Sequence, residues 1–234
     1  MVRAYLFLAV FVPLTFLFSI SAIISTLFDS SGRVYAWHAR LWARLGLALN
    51  GVTVTISGTE RLPDGPVIFM SNHQSNFDIL SLLAAMPRQI HWIAKKELFE
   101  IPVFGPSMRR GGYIPLDRSD GRKALQSMDE AAATIHQGKS VVLFPEGTRT
   151  TDGNLLPFKR GGFILARKSE VPVVPVTING SGRVNPGGQL RLYSGNIHLT
   201  LHPPLIVPPE LRRSEAETWM MEAVREQIES VLEH

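Results

Sequence analysis

From Ala4 to Phe28 the chain runs for twenty-five residues without a charge, rich in Leu, Phe, Ile and Val. As one helix this stretch is about 37 Å long, enough to cross a hydrocarbon core of about 30 Å. Pro13 interrupts the run, and Ser19, Ser21 and Ser25 soften its second half. A bent pair of short helices dipping into one leaflet therefore stands beside a single span. A secretory signal fits less well, because the run is long for an h-region and no small-x-small cleavage site follows. The next segment, Arg33 to Leu49, reads as a helix with Arg33, Arg40, Arg44 and Trp37 along one line and Val34, Leu41, Leu45 and Leu49 on the neighbouring face. Such a stripe suits a helix lying on an anionic membrane surface, or an ordinary amphipathic helix packed on a domain.

After Gly51 the period changes. Val52 to Ser57 alternates, Val67 to Met70 is fully apolar, and strand-like runs follow at Ile90 to Ala94 and Gly112 to Leu116. Helical stretches lie between them at Ser75 to Met86 and Asp120 to Gln137, the latter stopped by Gly138. Then come a strand at Ser140 to Phe144, a helix near Gly161 to Ser169, and strands around Val173 to Ile178, Gln189 to Tyr193 and Ile197 to His202. Glu215 to Leu232 closes the chain as a charged amphipathic helix. The pattern predicts an α/β fold: one domain, residues 50–234, with a mixed, largely parallel central sheet flanked by helices. Residues 1–49 form its N-terminal helical membrane anchor.

Charge sharpens this picture. The net +4 splits into −4 over residues 210–234 and +8 over residues 30–209. A basic body favours anionic partners, and without a nucleic-acid module or dense Lys/Arg run these are lipids or small phosphates rather than nucleic acid. The arginines after the apolar run outnumber the lone Arg3 before it, which places the body on the cytoplasmic face. There is no cysteine, hence no disulfide framework and no thiolate nucleophile.

Two polar motifs sit directly behind apolar strands, where α/β folds bind their ligands. Asn72-His73-Gln74-Ser75-Asn76-Phe77-Asp78 follows the first, and Phe144-Pro145-Glu146-Gly147-Thr148-Arg149 the second. On a continuous helix His73 and Asp78 would point about 140° apart. They meet only if His73 lies on the turn and Asp78 in the helix's first turn, where the carboxylate would fix the imidazole tautomer. Equally, Ser75 to Asp78 is a capping-box pattern. No second His or carboxylate at ligand spacing suggests a metal. With no nucleophile elbow, and nothing marking Ser71 or Ser75 as a nucleophile, a base here points to deprotonation of a substrate hydroxyl in a ternary complex. A backbone N–H near Gly147 is a candidate oxyanion donor. Arg149 and Arg118 can grip phosphate or serve as solvated surface charges, and Lys95 is a further cation at a strand end.

These residues together resemble the 1-acyl-sn-glycerol-3-phosphate acyltransferase family, the PlsC type of the glycerolipid acyltransferases. Asn72-His73 with Asp78 is similar to its N-H-x4-D motif, residues 112–118 to the second motif, residues 144–149 to the third, and residues 171–176 to the fourth, all in order. One departure is Pro115, where an aliphatic or aromatic residue is commoner. The resemblance implies His73 as general base with Asp78 its partner. It implies that Glu146, Gly147 and Arg149, with Arg118, bind the glycerol phosphate; Thr148 and Lys95 are further candidate substrate contacts, Lys95 equally a contact for lipid headgroups. It also implies a core strand at Val171 to Val176, an acyl channel near Ile101 to Phe104, and a two-helix membrane motif at the N-terminus. The expected reaction moves a fatty acyl group from acyl-CoA or acyl-carrier protein to the 2-hydroxyl of lysophosphatidic acid, with no cofactor or metal. Another lysolipid acceptor (a lyso-ornithine lipid or lysophosphatidylglycerol) and a non-catalytic lipid-binding membrane protein are the alternatives.

Overall fold

The computed structural model describes residues 1–117, 120–187 and 189–233. Two long helices come first, α1 (Val2–Ser25) and α2 (Arg33–Leu49). Helix α1 continues through Pro13 without a break. It is long and apolar enough to cross a membrane, and most of its side chains are exposed. α2 doubles back along it. The Trp42 indole N–H donates to Thr15 Oγ1 at 2.9 Å, and the Phe11 and Trp42 rings stack at 5.1 Å. Gly46 permits this approach: a Cβ there would stand 2.6 Å from the Phe11 ring. Arg40 does not sit on an outward stripe; its Nη2 donates to the Met86 carbonyl at 2.7 Å.

The body is a seven-stranded sheet. Its strands are β1 (Val52–Ser57), β2 (Ile68–Ser71), β3 (Ile90–Lys95), β4 (Ile114–Leu116), β5 (Ser140–Leu143), β6 (Val173–Asn179) and β7 (Gly195–Leu201). They lie in the order β1-β7-β6-β2-β5-β3-β4. Every pairing is parallel except β6 with β7. The helices are α3 (Phe77–Ala85), α4 (Phe104–Arg110), α5 (Gly121–His136), α6 (Gly161–Ser169), the single turn α7 (Ser181–Val184) and α8 (Arg213–Glu229). Strand side chains alternate between faces. Phe69, Val142, Val174 and Val176 join the core under α2 and α3; Ile68, Met70, Val141, Leu143 and Val173 join the one under α5, α6 and α8. Central strands are therefore apolar on both faces, as their unbroken runs predicted. Pro115 is tolerated because β4 is an edge strand.

One expected strand is absent. Gln189 to Tyr193 forms no strand among its described residues. The Asn185 side-chain amide donates to the carbonyls of Gln189 and Arg191, and the Tyr193 N–H donates to the Val184 carbonyl. A single asparagine thus satisfies the backbone that a ladder would otherwise have taken.

Candidate active site

Strands β2 and β5 are parallel neighbours, with Met70 opposite Leu143. Their carboxyl ends lie one strand spacing apart, so the chains leaving them carry His73 and Glu146 into the same place. Asn72 controls the first exit. Its side chain accepts from the Ile178 N–H at 2.7 Å and donates to the Ile178 carbonyl at 2.9 Å, clamping the turn to β6. On the other side the Thr150 N–H donates to the His73 carbonyl at 2.9 Å.

His73 lies on the turn and Asp78 in the first turn of α3, as a base–carboxylate pair requires. His73 Nδ1 is 2.7 Å from Asp78 Oδ2, and the Asp78 side chain is fully buried. An ionised carboxylate only accepts, so Nδ1 carries the proton and Nε2 is left as the ring's acceptor. The same Oδ2 accepts from the N–H groups of Gln74 and Ser75, both at 2.8 Å. The paired-base and helix-start readings of Asp78 are therefore one arrangement, in which the carboxylate orients the imidazole and organises the turn. Its Oδ1 is buried with no hydrogen-bond partner. The imidazole lies flat on Phe144, ring centroids 3.8 Å apart and planes within 5°, and Phe144 leans on Trp92.

Glu146 is buried and points back toward β2. Oε1 accepts from the His73 N–H at 2.7 Å and Oε2 from the Leu156 N–H at 2.8 Å. Burial pushes its carboxyl above the usual range, against the pull of these two bonds and of the histidine. Glu146 thus braces the turn that carries His73. Pro145 and Glu146 form the corner of a turn closed by the Gly147 N–H on the Phe144 carbonyl at 3.0 Å, and Gly147 takes φ 74° beyond it. That N–H is committed to the turn, so the oxyanion donor expected near Gly147 is not the Gly147 amide itself.

The cations lie at the rim. Arg149 is exposed, and its Nη1 donates to Asn76 Oδ1 at 2.7 Å. Asn76 is the N-cap of α3, so the helix bearing Asp78 also steadies the arginine. Thr148 is exposed beside it. Lys95 ends β3 and pairs with Glu97 at 3.2 Å, both largely solvated. Lys96 reaches Asp117 at 3.2 Å. Arg118 lies outside the described residues. Sequence reasoning missed Asn72 and Asn76, although both stand inside the first motif; their partners are 106 and 73 residues away.

A cavity of about 1020 Å³ opens at this edge of the sheet. His73, Asn76, Gly147, Thr148, Arg149, Lys95 and Lys159 line its polar end. Its apolar body runs between Leu98, Phe104, Met108, Leu125 and Met128 and the helices α1 and α2, which contribute Phe18, Tyr35 and Trp42. Of the expected channel segment only Phe104 lines it; Ile101 is outside, 37% exposed. Val103 holds Phe104 there in a strained turn, at φ 65°, with the Phe104 N–H donating to Pro102 at 2.7 Å. The two N-terminal helices are thus a wall of the cavity as well as a hydrophobic hairpin. Among the described residues no three His, Asp or Glu side chains group as a metal site.

The chain is similar in sequence to known acyltransferases. The 1-acyl-sn-glycerol-3-phosphate acyltransferase BAT2, chloroplastic, of Brassica napus is 39% identical over 183 residues, covering 76% of this chain and 53% of that protein. The alpha form of Homo sapiens is 36% identical over 164 residues, covering 69% and 57%. The chain thus spans about half the length of these relatives. The crystal structure of the 1-acyl-sn-glycerophosphate acyltransferase PlsC from Thermotoga maritima superposes with a TM-score of 0.83, over 98% of this chain and 95% of that one. At 24% identity that likeness speaks for the fold. The acyltransferase family model matches residues 53–179, more than half of the chain and the stretch holding all four motifs, so the chain belongs to the acyltransferase family.

Proposed function

We propose that this protein transfers a fatty acyl group from acyl-CoA or acyl-carrier protein to the 2-hydroxyl of lysophosphatidic acid, giving phosphatidic acid. The observation that carries the reading is the His73–Asp78 pair at 2.7 Å, opening on a cavity with a cationic rim and an apolar body. The phosphate of the acceptor sits on Arg149, and its hydroxyl points at His73 Nε2. The imidazole takes the hydroxyl proton as the alkoxide forms its bond to the thioester carbonyl, while Asp78 stabilises the imidazolium. The tetrahedral intermediate then expels the thiolate, which recovers the proton from Nε2. No acyl-enzyme forms, and no cofactor is needed. Relatives that carry the name 1-acyl-sn-glycerol-3-phosphate acyltransferase support the acceptor.

The long apolar α1, with its exposed Leu, Ile and Phe side chains, supports attachment to a membrane, and the arginines of α2 support a cytoplasmic face. The test of the acceptor is competition: purified protein in detergent is given labelled lysophosphatidic acid and an excess of lysophosphatidylglycerol or lyso-ornithine lipid. Labelled phosphatidic acid that persists under the excess supports the reading. Acylation of the competitor in its place assigns another lysolipid, and lipid binding with no thioester consumed assigns a non-catalytic role.

A further inference from the structure

Direct acyl transfer brings two hydrocarbon chains to one histidine, and a second apolar recess stands beside the cavity already described. The second, about 490 Å³, lies along the same face of α1 nearer its N-terminus, between Ala4, Phe7, Leu8 and Phe11 of that helix and Leu190 and Leu192 of the loop before β7. Its volume falls within the usual range of ligand sites. It adjoins the first: Trp42, Asn76, Ile79 and Arg149 line both. Among the described residues the only charged side chain lining it is Arg149, which also lines the larger cavity.

We infer that this groove holds the hydrocarbon chain of the phosphate-bearing acceptor, while the larger cavity takes the chain of the acyl donor. The assignment rests on the acyl-transfer reading above and follows from which polar residue each recess reaches. His73 lines the larger cavity and not the smaller groove. The donor's carbonyl must meet the hydroxyl at His73, and its chain runs on from that carbonyl into the same cavity. The acceptor's chain begins a few bonds from its phosphate, so it leaves from beside Arg149, where the groove opens. Leu8 and Leu190 of its lining are 38% and 43% exposed, so a lipid can enter between α1 and the loop. The loop that failed to become a strand thereby acquires a task. Asn185 ties its carbonyls inward, and Leu190 and Leu192 remain as a wall.

Two experiments test this. In the first, a lysophosphatidic acid whose acyl chain ends in a photoreactive diazirine is bound to the full chain, illuminated and mapped by mass spectrometry. Labels within residues 4–11 or 189–192 are expected; labels confined to residues 98–128 would overturn the assignment. In the second, Leu190→Trp narrows the groove, with Leu8→Trp as an independent variant on the helix. The KM for a long-chain acceptor should rise at least tenfold, the rise should fade with a hexanoyl acceptor, and the donor chain-length profile should stay that of the wild type. A shifted donor profile, or equal effects on long and short acceptors, would contradict the proposal. Groove labelling in a protein inert with every thioester donor would instead remove the acyl-transfer reading and keep the groove.

Discussion

The two ends of this site are built differently. At the base end, each group that faces the reaction is fixed by several buried partners. His73 is held by a carboxylate through its ring, by Glu146 through its N–H, by Thr150 through its carbonyl and by Phe144 through its face. At the rim Arg149 has one hydrogen bond to Asn76, and Lys95 has one solvated partner. In the proposed reaction the difference follows from what each end would do. Proton transfer needs a ring fixed to within a fraction of an ångström before substrate arrives. A phosphate is large and doubly charged, and an exposed guanidinium can close on it while staying hydrated in its absence.

Substitutions can break this contrast in graded steps. The largest loss at the base end short of removing the imidazole is expected from Asp78→Asn, which leaves an amide where the imidazole needs a charge. Turnover should fall by about 10²–10⁴, measured as acceptor-dependent product formation. Next is Glu146→Gln. One amide oxygen cannot accept from both His73 and Leu156, so a buried N–H is stranded at a cost of about 1–3 kcal/mol. A lower melting temperature accompanied by a drop in kcat greater than in KM is the expected result. Arg149→Lys should spare kcat and raise the acceptor's KM by about tenfold, the scale of one charge-assisted contact. A kcat loss as large as that of Asp78→Asn would mean the rim is as preorganised as the base.

A third carboxylate sharpens the point by doing neither job. Glu217 on α8 bonds Arg160 at 2.8 Å and Arg167 at 3.0 Å, tying α8 to the start and end of α6. Burial alone would raise its carboxyl, as it does for Glu146, but the two arginines outweigh burial and hold it below the usual range. A group lowered by folding adds stability that is complete above its unfolded value and lost as pH falls through the folded one. Glu217→Gln should therefore cost about 1 kcal/mol at neutral pH, kept small because Arg160 is solvated. That difference from wild type should disappear below the ordinary glutamate range, with activity unaffected. Urea titrations at neutral and acid pH check it.

Much of this was legible in the sequence because it is local. The His73 to Asp78 spacing is five residues, and the apolar runs behind both motifs are doubly buried strands. What stayed hidden depends on sheet order. Nothing local says that β2 and β5 are neighbours, so the Glu146 bond to the His73 amide could not be read. The alternation over Gln189 to Tyr193 misled because period-two patterning describes side chains, whereas the backbone there is satisfied by Asn185. The N-terminal helices were read by composition as an anchor. Their second face, lining the cavity through Phe18, Tyr35 and Trp42, emerges only when the body packs against them.

In the proposed reaction His73 deprotonates an acceptor hydroxyl for direct attack on a thioester. Thiol release from acyl-CoA by detergent-purified protein, with and without lysophosphatidic acid, for wild type and His73→Ala tests it most directly. Acceptor-dependent release should fall by about 10²–10⁴ in the variant while its melting temperature stays near that of the wild type. Acceptor-dependent release that survives in a folded His73→Ala protein would contradict it.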